Sequence, residues 1–180
     1  MGSDGIVHCL DGGISTIEHG VFLTETLCQR MVRDGVALVP TLIAPHAIAA
    51  GGVAAGIPDY AVRKSLEVRD RHLEGFRLAL RHGVPIAAGT DAGTPLNPHG
   101  SLVPELRLMV QAGMNPGAAL HAATGAAARA LGLEHEIGRV APGRAADLLA
   151  VAGNPVERID ALDDVRLVMT GGRVVVNRLK

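Results

Sequence analysis

Two residues stand where this chain can do chemistry. Asp91 interrupts the stretch Val84-Pro-Ile-Ala-Ala-Gly-Thr-Asp-Ala-Gly-Thr-Pro95, and His19 closes Ile14-Ser-Thr-Ile-Glu-His-Gly20. Each lies at the end of an expected strand that leads into a glycine-containing loop. Imidazole nitrogen and carboxylate oxygen both suit zinc and related divalent ions. A bound metal acidifies its water, and an adjacent carboxylate can take the proton. The pair therefore reads as part of a hydrolytic metal site. Two ligands are fewer than a catalytic zinc requires. A plainer reading stays open on these residues alone: Asp91 caps its turn and His19 is a structural strand-end residue.

Strands that end together must position such a pair. Ile86, Ala87 and Ala88 show no polar alternation, as in a parallel strand buried on both faces. Gly89 and Gly93 relax the backbone around Asp91. A short strand is expected from Ile14 to Ile17 and another from Val36 to Thr41. Between them the pattern predicts a helix over 24–34, capped by Thr24 and stopped by Gly35. Residues 45–58 read as a loop with short helical pieces, a candidate lid that carries a solvent-facing His46. Residues 59–82 form the longest helical pattern, with His72 and His82 on its solvated face or near its end. A first helix over 3–12 carries His8 on its surface. Alternating strands and helices mean parallel strands with crossovers, and α/β barrels place their chemistry at the C-terminal ends of such strands. Further helices are expected over 102–112 and 116–131, the second bearing His121. After Gly132 the composition changes. A turn and strand follow over 137–151, then a hairpin of 165–170 and 173–176 around Gly171-Gly172. The expected division is 1–136 for the α/β part and 137–180 for a small β unit.

The 180 residues suffice for one domain with a core, and the formal net charge of −1 gives no broad attraction to nucleic acid or anionic lipid. No apolar run is long enough to span a bilayer, and the N-terminus lacks the basic and apolar regions of a secretory signal. Cys9 and Cys28 make no disulfide framework, so the expected compartment is cytoplasmic. Aromatics are only 2% of a chain that is 48% hydrophobic, which leaves the packing to Ala, Val, Leu and Gly. Mean hydropathy is +0.27, high for a self-contained soluble domain. It points to apolar surface meant for another segment or subunit.

A series of short motifs carries more. Thr16-Ile-Glu-His-Gly20, Val39-Pro-Thr-Leu42, Gly89-Thr-Asp-Ala-Gly93, His99-Gly100, Ala122-Ala-Thr124, Leu131-Gly132, Pro142-Gly-Arg-Ala-Ala-Asp-Leu148, Asn154-Pro155 and Thr170-Gly-Gly-Arg-Val174 run in order along the chain. In that order they resemble the amidohydrolase superfamily, in its imidazolonepropionase-like and Xaa-Pro dipeptidase-like (prolidase) branch. The resemblance implies an α/β fold: the C-terminal part of a metal-dependent (β/α)8 TIM barrel, about strands six to eight, plus C-terminal strands of a small β-sandwich. It implies His19 and Asp91 as metal ligands, Asp91 also as general base, and His99 as a substrate contact. One or two divalent ions, zinc first, would serve hydrolysis of C–N bonds in amides, cyclic amides or dipeptides. The superfamily's His-x-His pair and its fourth-strand lysine have no counterpart here. The implied chain is therefore incomplete: it needs a missing N-terminal half or self-associates. The alternative is a non-catalytic half-barrel that works as an assembly module, or as half of a split enzyme.

Overall fold

The computed structural model describes residues 2–179. Helix α1 (Ser3–Asp11) leads to strand β1 (Thr16–Glu18), helix α2 (Glu25–Asp34) and strand β2 (Ala37–Val39). Thr24 caps α2 as its composition requires: its hydroxyl accepts from the Leu27 amide at 3.3 Å, and Gly35 ends the helix in the left-handed region. β1 and β2 pair in parallel with Ile17 opposite Leu38. The expected third strand is present as an extended segment that bridges β2 at one residue, Ile86 opposite Leu38. Leu38 donates to the Pro85 carbonyl and accepts from Ala87. The next amide, on Ala88, points the other way and donates to the Ala122 carbonyl at 2.9 Å. A helix end thus covers the outer edge of this segment, which is one way an open edge is kept from pairing further.

Helices flank these strands. α4 (Asp59–His82) is the longest, and it buries Val62, Ser65, His72, Phe76 and Ala79 along one face. Two expectations are corrected here. His72 is not on the solvated face; it is 2% exposed, in register with Phe76 and Ala79. Residues 45–58 are not mainly loop: α3 (Ile43–Gly51) and a 3₁₀ turn at Val53–Ala55 occupy most of them. Alanine and isoleucine sustain α3 despite Pro45, which sits in its first turn where no intrahelical amide is needed.

The C-terminal helices are α5 (Val103–Gln111), α6 (Pro116–Ala122) and α7 (Gly125–Ala130). The single helix expected over 116–131 is broken at Thr124, whose φ of −128° and ψ of −93° leave the helical region. Gly125 lies so close to His121 that a Cβ would stand 2.8 Å from its ring. Strands β3 (Leu148–Val151), β4 (Val165–Thr170) and β5 (Arg173–Asn177) form an antiparallel sheet in that order. The 3₁₀ turn Ile159–Asp163 packs on α5, where Arg107 pairs with Asp160 at 2.6 Å and with Asp163. Ile159 and Leu162 join the same core as Phe76, Leu38 and Met109. None of the described helices is long and apolar enough to cross a membrane.

One close approach fixes where α4 lies. At Gly75 an added Cβ would meet the Gly20 carbonyl oxygen at 2.5 Å, beside the turn that carries His19. Gly75→Ala is expected to lower stability by about 1–3 kcal/mol through this backbone clash. Helix propensity alone would stabilise by about 1 kcal/mol. Urea unfolding reads the sign, and a stabilised variant would refute the contact.

Candidate active site

The C-terminal ends of the three neighbouring extended segments share an unusual backbone. His19 follows β1 at φ 68°, Thr41 follows β2 at φ 53°, and Asp91 follows the third segment at φ 52°. Left-handed φ is uncommon outside glycine and a genuine outlier for β-branched threonine. Strain of this kind persists only where surrounding contacts hold it, and it concentrates at functional sites. β2 lies between the other two segments. Strands are about 4.8 Å apart, so the segments that carry His19 and Asp91 run roughly 10 Å apart. His19 and Asp91 thus follow the same ends of these neighbouring segments.

Under His19 lies a buried polar chain. Its Nδ1 is 2.7 Å from the Thr41 hydroxyl, which in turn donates to the Pro40 carbonyl at 2.6 Å. His72 Nε2 reaches the same carbonyl at 2.6 Å. The rings of His19 and His72 meet edge to face, 6.4 Å between centroids. Burial lowers the His72 pKa, opposed by its bond to Pro40. A neutral His72 must give its one proton to the carbonyl from Nε2. Its Nδ1 is then left buried with no partner among the described residues.

Two more buried polar residues support the neighbouring loops. Glu105, fully buried on α5, accepts from the Leu42 amide at 2.9 Å and the Ile43 amide at 2.7 Å, satisfying the N-terminus of α3. Burial pushes its carboxyl up to about 7, against the pull of the two amides. Asn97 organises the Asp91 loop. Its amide donates to the Thr90 carbonyl at 2.6 Å and reaches the Asp91 carbonyl and the Thr94 hydroxyl at 3.1 Å each. The Asp91 side chain is exposed. His99 is also exposed, and it lies over this loop: a Cβ on Gly93 would be 3.6 Å from its Nε2.

The donor types of His19 and Asp91 suit a divalent ion. Their number does not complete a shell, and no group of three or more His, Cys, Asp or Glu that could hold a metal is assembled among the described residues. Exposed His8, His46 and His121 lie outside the network described here. Thr41, Asn97 and Glu105 are not singled out in the sequence, and His72 reads there only as a group on the solvated face or near the helix end. Helical register was the available signal for two of them. His72 shares a face with Phe76 and Ala79, and Glu105 shares one with Met109 and Ala112.

The chain is similar to known proteins. The model of the amidohydrolase family matches residues 1–175. An uncharacterized protein of Mycobacterium tuberculosis is 36% identical over 174 residues, which cover 94% of this chain and 45% of the relative. The ochratoxinase of Aspergillus niger is 29% identical over 170 residues, 93% of this chain and 34% of that enzyme. Among solved structures, a Xaa-Pro dipeptidase with methionine bound in its active site superposes with a TM-score of 0.88 at 33% identity. That superposition covers 97% of this chain and 43% of the dipeptidase. The chain thus spans less than half the length of the relatives it matches.

Proposed function

The chain belongs to the amidohydrolase family, and from that premise we propose that it contributes part of the active site of a metal-dependent hydrolase of C–N bonds. The substrate class is an amide, cyclic amide or dipeptide. His19 and Asp91 hold the metal, Asp91 is the general base, and His99 contacts substrate. A bound divalent ion, zinc by the character of its imidazole and carboxylate donors, would supply an acidified water and polarise the substrate carbonyl. The exposed Asp91 carboxylate accepts the proton of the attacking water and returns it to the departing amine. His99, folded over the same loop, orients the substrate beside it. The observation that supports this reading is the placement of His19, Thr41 and Asp91, all in left-handed backbone, at one end of three neighbouring segments.

Residues 1–136 are, on this reading, barrel strands six to eight with their helices, and 137–180 the C-terminal strands of a small sandwich. Further strands and ligands come from another segment or another chain. Exposed Leu149, Val174 and Val175 on the β3–β5 sheet fit such a partner. The test is metal content after purification without chelator, together with hydrolysis of Xaa-Pro dipeptides, for wild type and His19→Ala. Bound divalent metal that His19→Ala loses, with hydrolysis, is the expected result. A self-associating protein that holds no metal and hydrolyses nothing would favour the assembly-module alternative.

A further inference from the structure

We infer that Thr41 is the positioning residue that fixes which nitrogen of His19 is free to bind a metal: its hydroxyl accepts the Nδ1 proton and leaves Nε2 with the lone pair. The inference rests on the metal role proposed for His19. The hydroxyl has one proton and two close neighbours. The Pro40 carbonyl, at 2.6 Å, can only accept. If the hydroxyl proton turned to His19 instead, two oxygens would face each other at 2.6 Å with no hydrogen between them. The proton therefore belongs on the Pro40 side, and the 2.7 Å contact to His19 must be an Nδ1–H donated to Thr41. The same carbonyl also receives His72 Nε2–H, which uses its second lone pair and pins the peptide that carries the hydroxyl. A ligand histidine is set in just this way by the partner of its other nitrogen.

The backbone argues separately that the threonine is there for its hydroxyl. Thr41 is 3% exposed and holds φ at 53°. A glycine would take that conformation without strain. Threonine stands where its shape is a disadvantage, which is understandable if the oxygen is needed.

Nitrogen-detected NMR of the ¹⁵N-histidine-labelled chain, at a pH of about 8 where imidazole is ordinarily neutral, reads the tautomer without any metal. Wild type should show His19 as the Nδ1–H form. Thr41→Ser should keep that form, and Thr41→Gly, which folds with less strain, should release it to a mixture of both tautomers. On titration with zinc alone, the His19 Nε2 resonance should move in wild type. Removal of the partner that orients a ligand histidine weakens binding by roughly 10–100-fold, and Thr41→Gly should show that loss. Finding His19 as the Nε2–H form in wild type, or an unchanged tautomer in Thr41→Gly, overturns the inference. A fixed Nδ1–H tautomer with no zinc response at His19 would leave Thr41's role standing and overturn the metal reading.

Discussion

Asp91→Asn is expected to lower hydrolysis by the assembled, metal-loaded enzyme by roughly 10³–10⁴-fold while leaving the fold intact. The rate effect follows because an amide cannot accept the proton that the carboxylate takes, and general-base contributions alone reach about 10²–10⁴-fold. Loss of a negatively charged metal ligand adds to it. Stability should stay within about 0.5 kcal/mol, for two local reasons. The side chain is exposed, and the Asp91 carbonyl, not its carboxylate, receives Asn97 and Thr94. Asparagine also tolerates the left-handed φ of 52° at this position at least as well as aspartate does. The variant therefore separates chemistry from conformation, as alanine would not. Turnover of an Xaa-Pro dipeptide beside a thermal melt checks it. Activity within tenfold of wild type would remove Asp91 from the base role.

Glu105→Ala is expected to cost the fold about 2–6 kcal/mol, because it strands the Leu42 and Ile43 amides at about 1–3 kcal/mol each. Both amides open α3 directly after Thr41, so the loss should also loosen the turn under His19. Glu105 carries a pH signature as well. Its folded pKa of about 7 lies above the ordinary 4.5. The folded state thus holds its proton longer than the unfolded state does. The stability this contributes is complete below about pH 4.5 and is lost as pH rises through 7. Its size is on the order of 3 kcal/mol. Urea unfolding of wild type and Glu105→Gln between pH 4.5 and 8 isolates the effect, since Gln cannot titrate. Parallel pH profiles for the two proteins would show that Glu105 does not titrate in that window.

Much of the architecture could be read along the chain, because it depends on local signals. Thr24, Gly35 and Gly83 mark helix ends, and apolar runs without alternation mark the segments of β2 and Ile86. Gly171-Gly172 marks the β4–β5 hairpin. His19 and Asp91 stand out in the sequence for another reason: each lies at a strand end that leads into a glycine-containing loop. Helix boundaries failed where nonlocal contacts intervene. The Ala122 carbonyl is taken by Ala88, and Gly125 is pressed against His121, so one alanine-rich helix became two.

The buried polar residues depend on folding in another sense. His72 comes from a helix rich in charge, Glu105 from one 62 residues beyond the amide it caps, and Thr41 from the end of a strand. Apart from the helical register of His72 and Glu105, nothing in their neighbours in sequence distinguishes them from surface groups. Packing withdraws them from water, and a polar group withdrawn from water must find a partner. The Pro40 carbonyl and the α3 amides are those partners, and they lie near only once α4 and α5 have closed against the strand ends. Periodicity and turn chemistry could reveal which residues occupy the rim, but the proton arrangement beneath His19 exists only in the packed molecule.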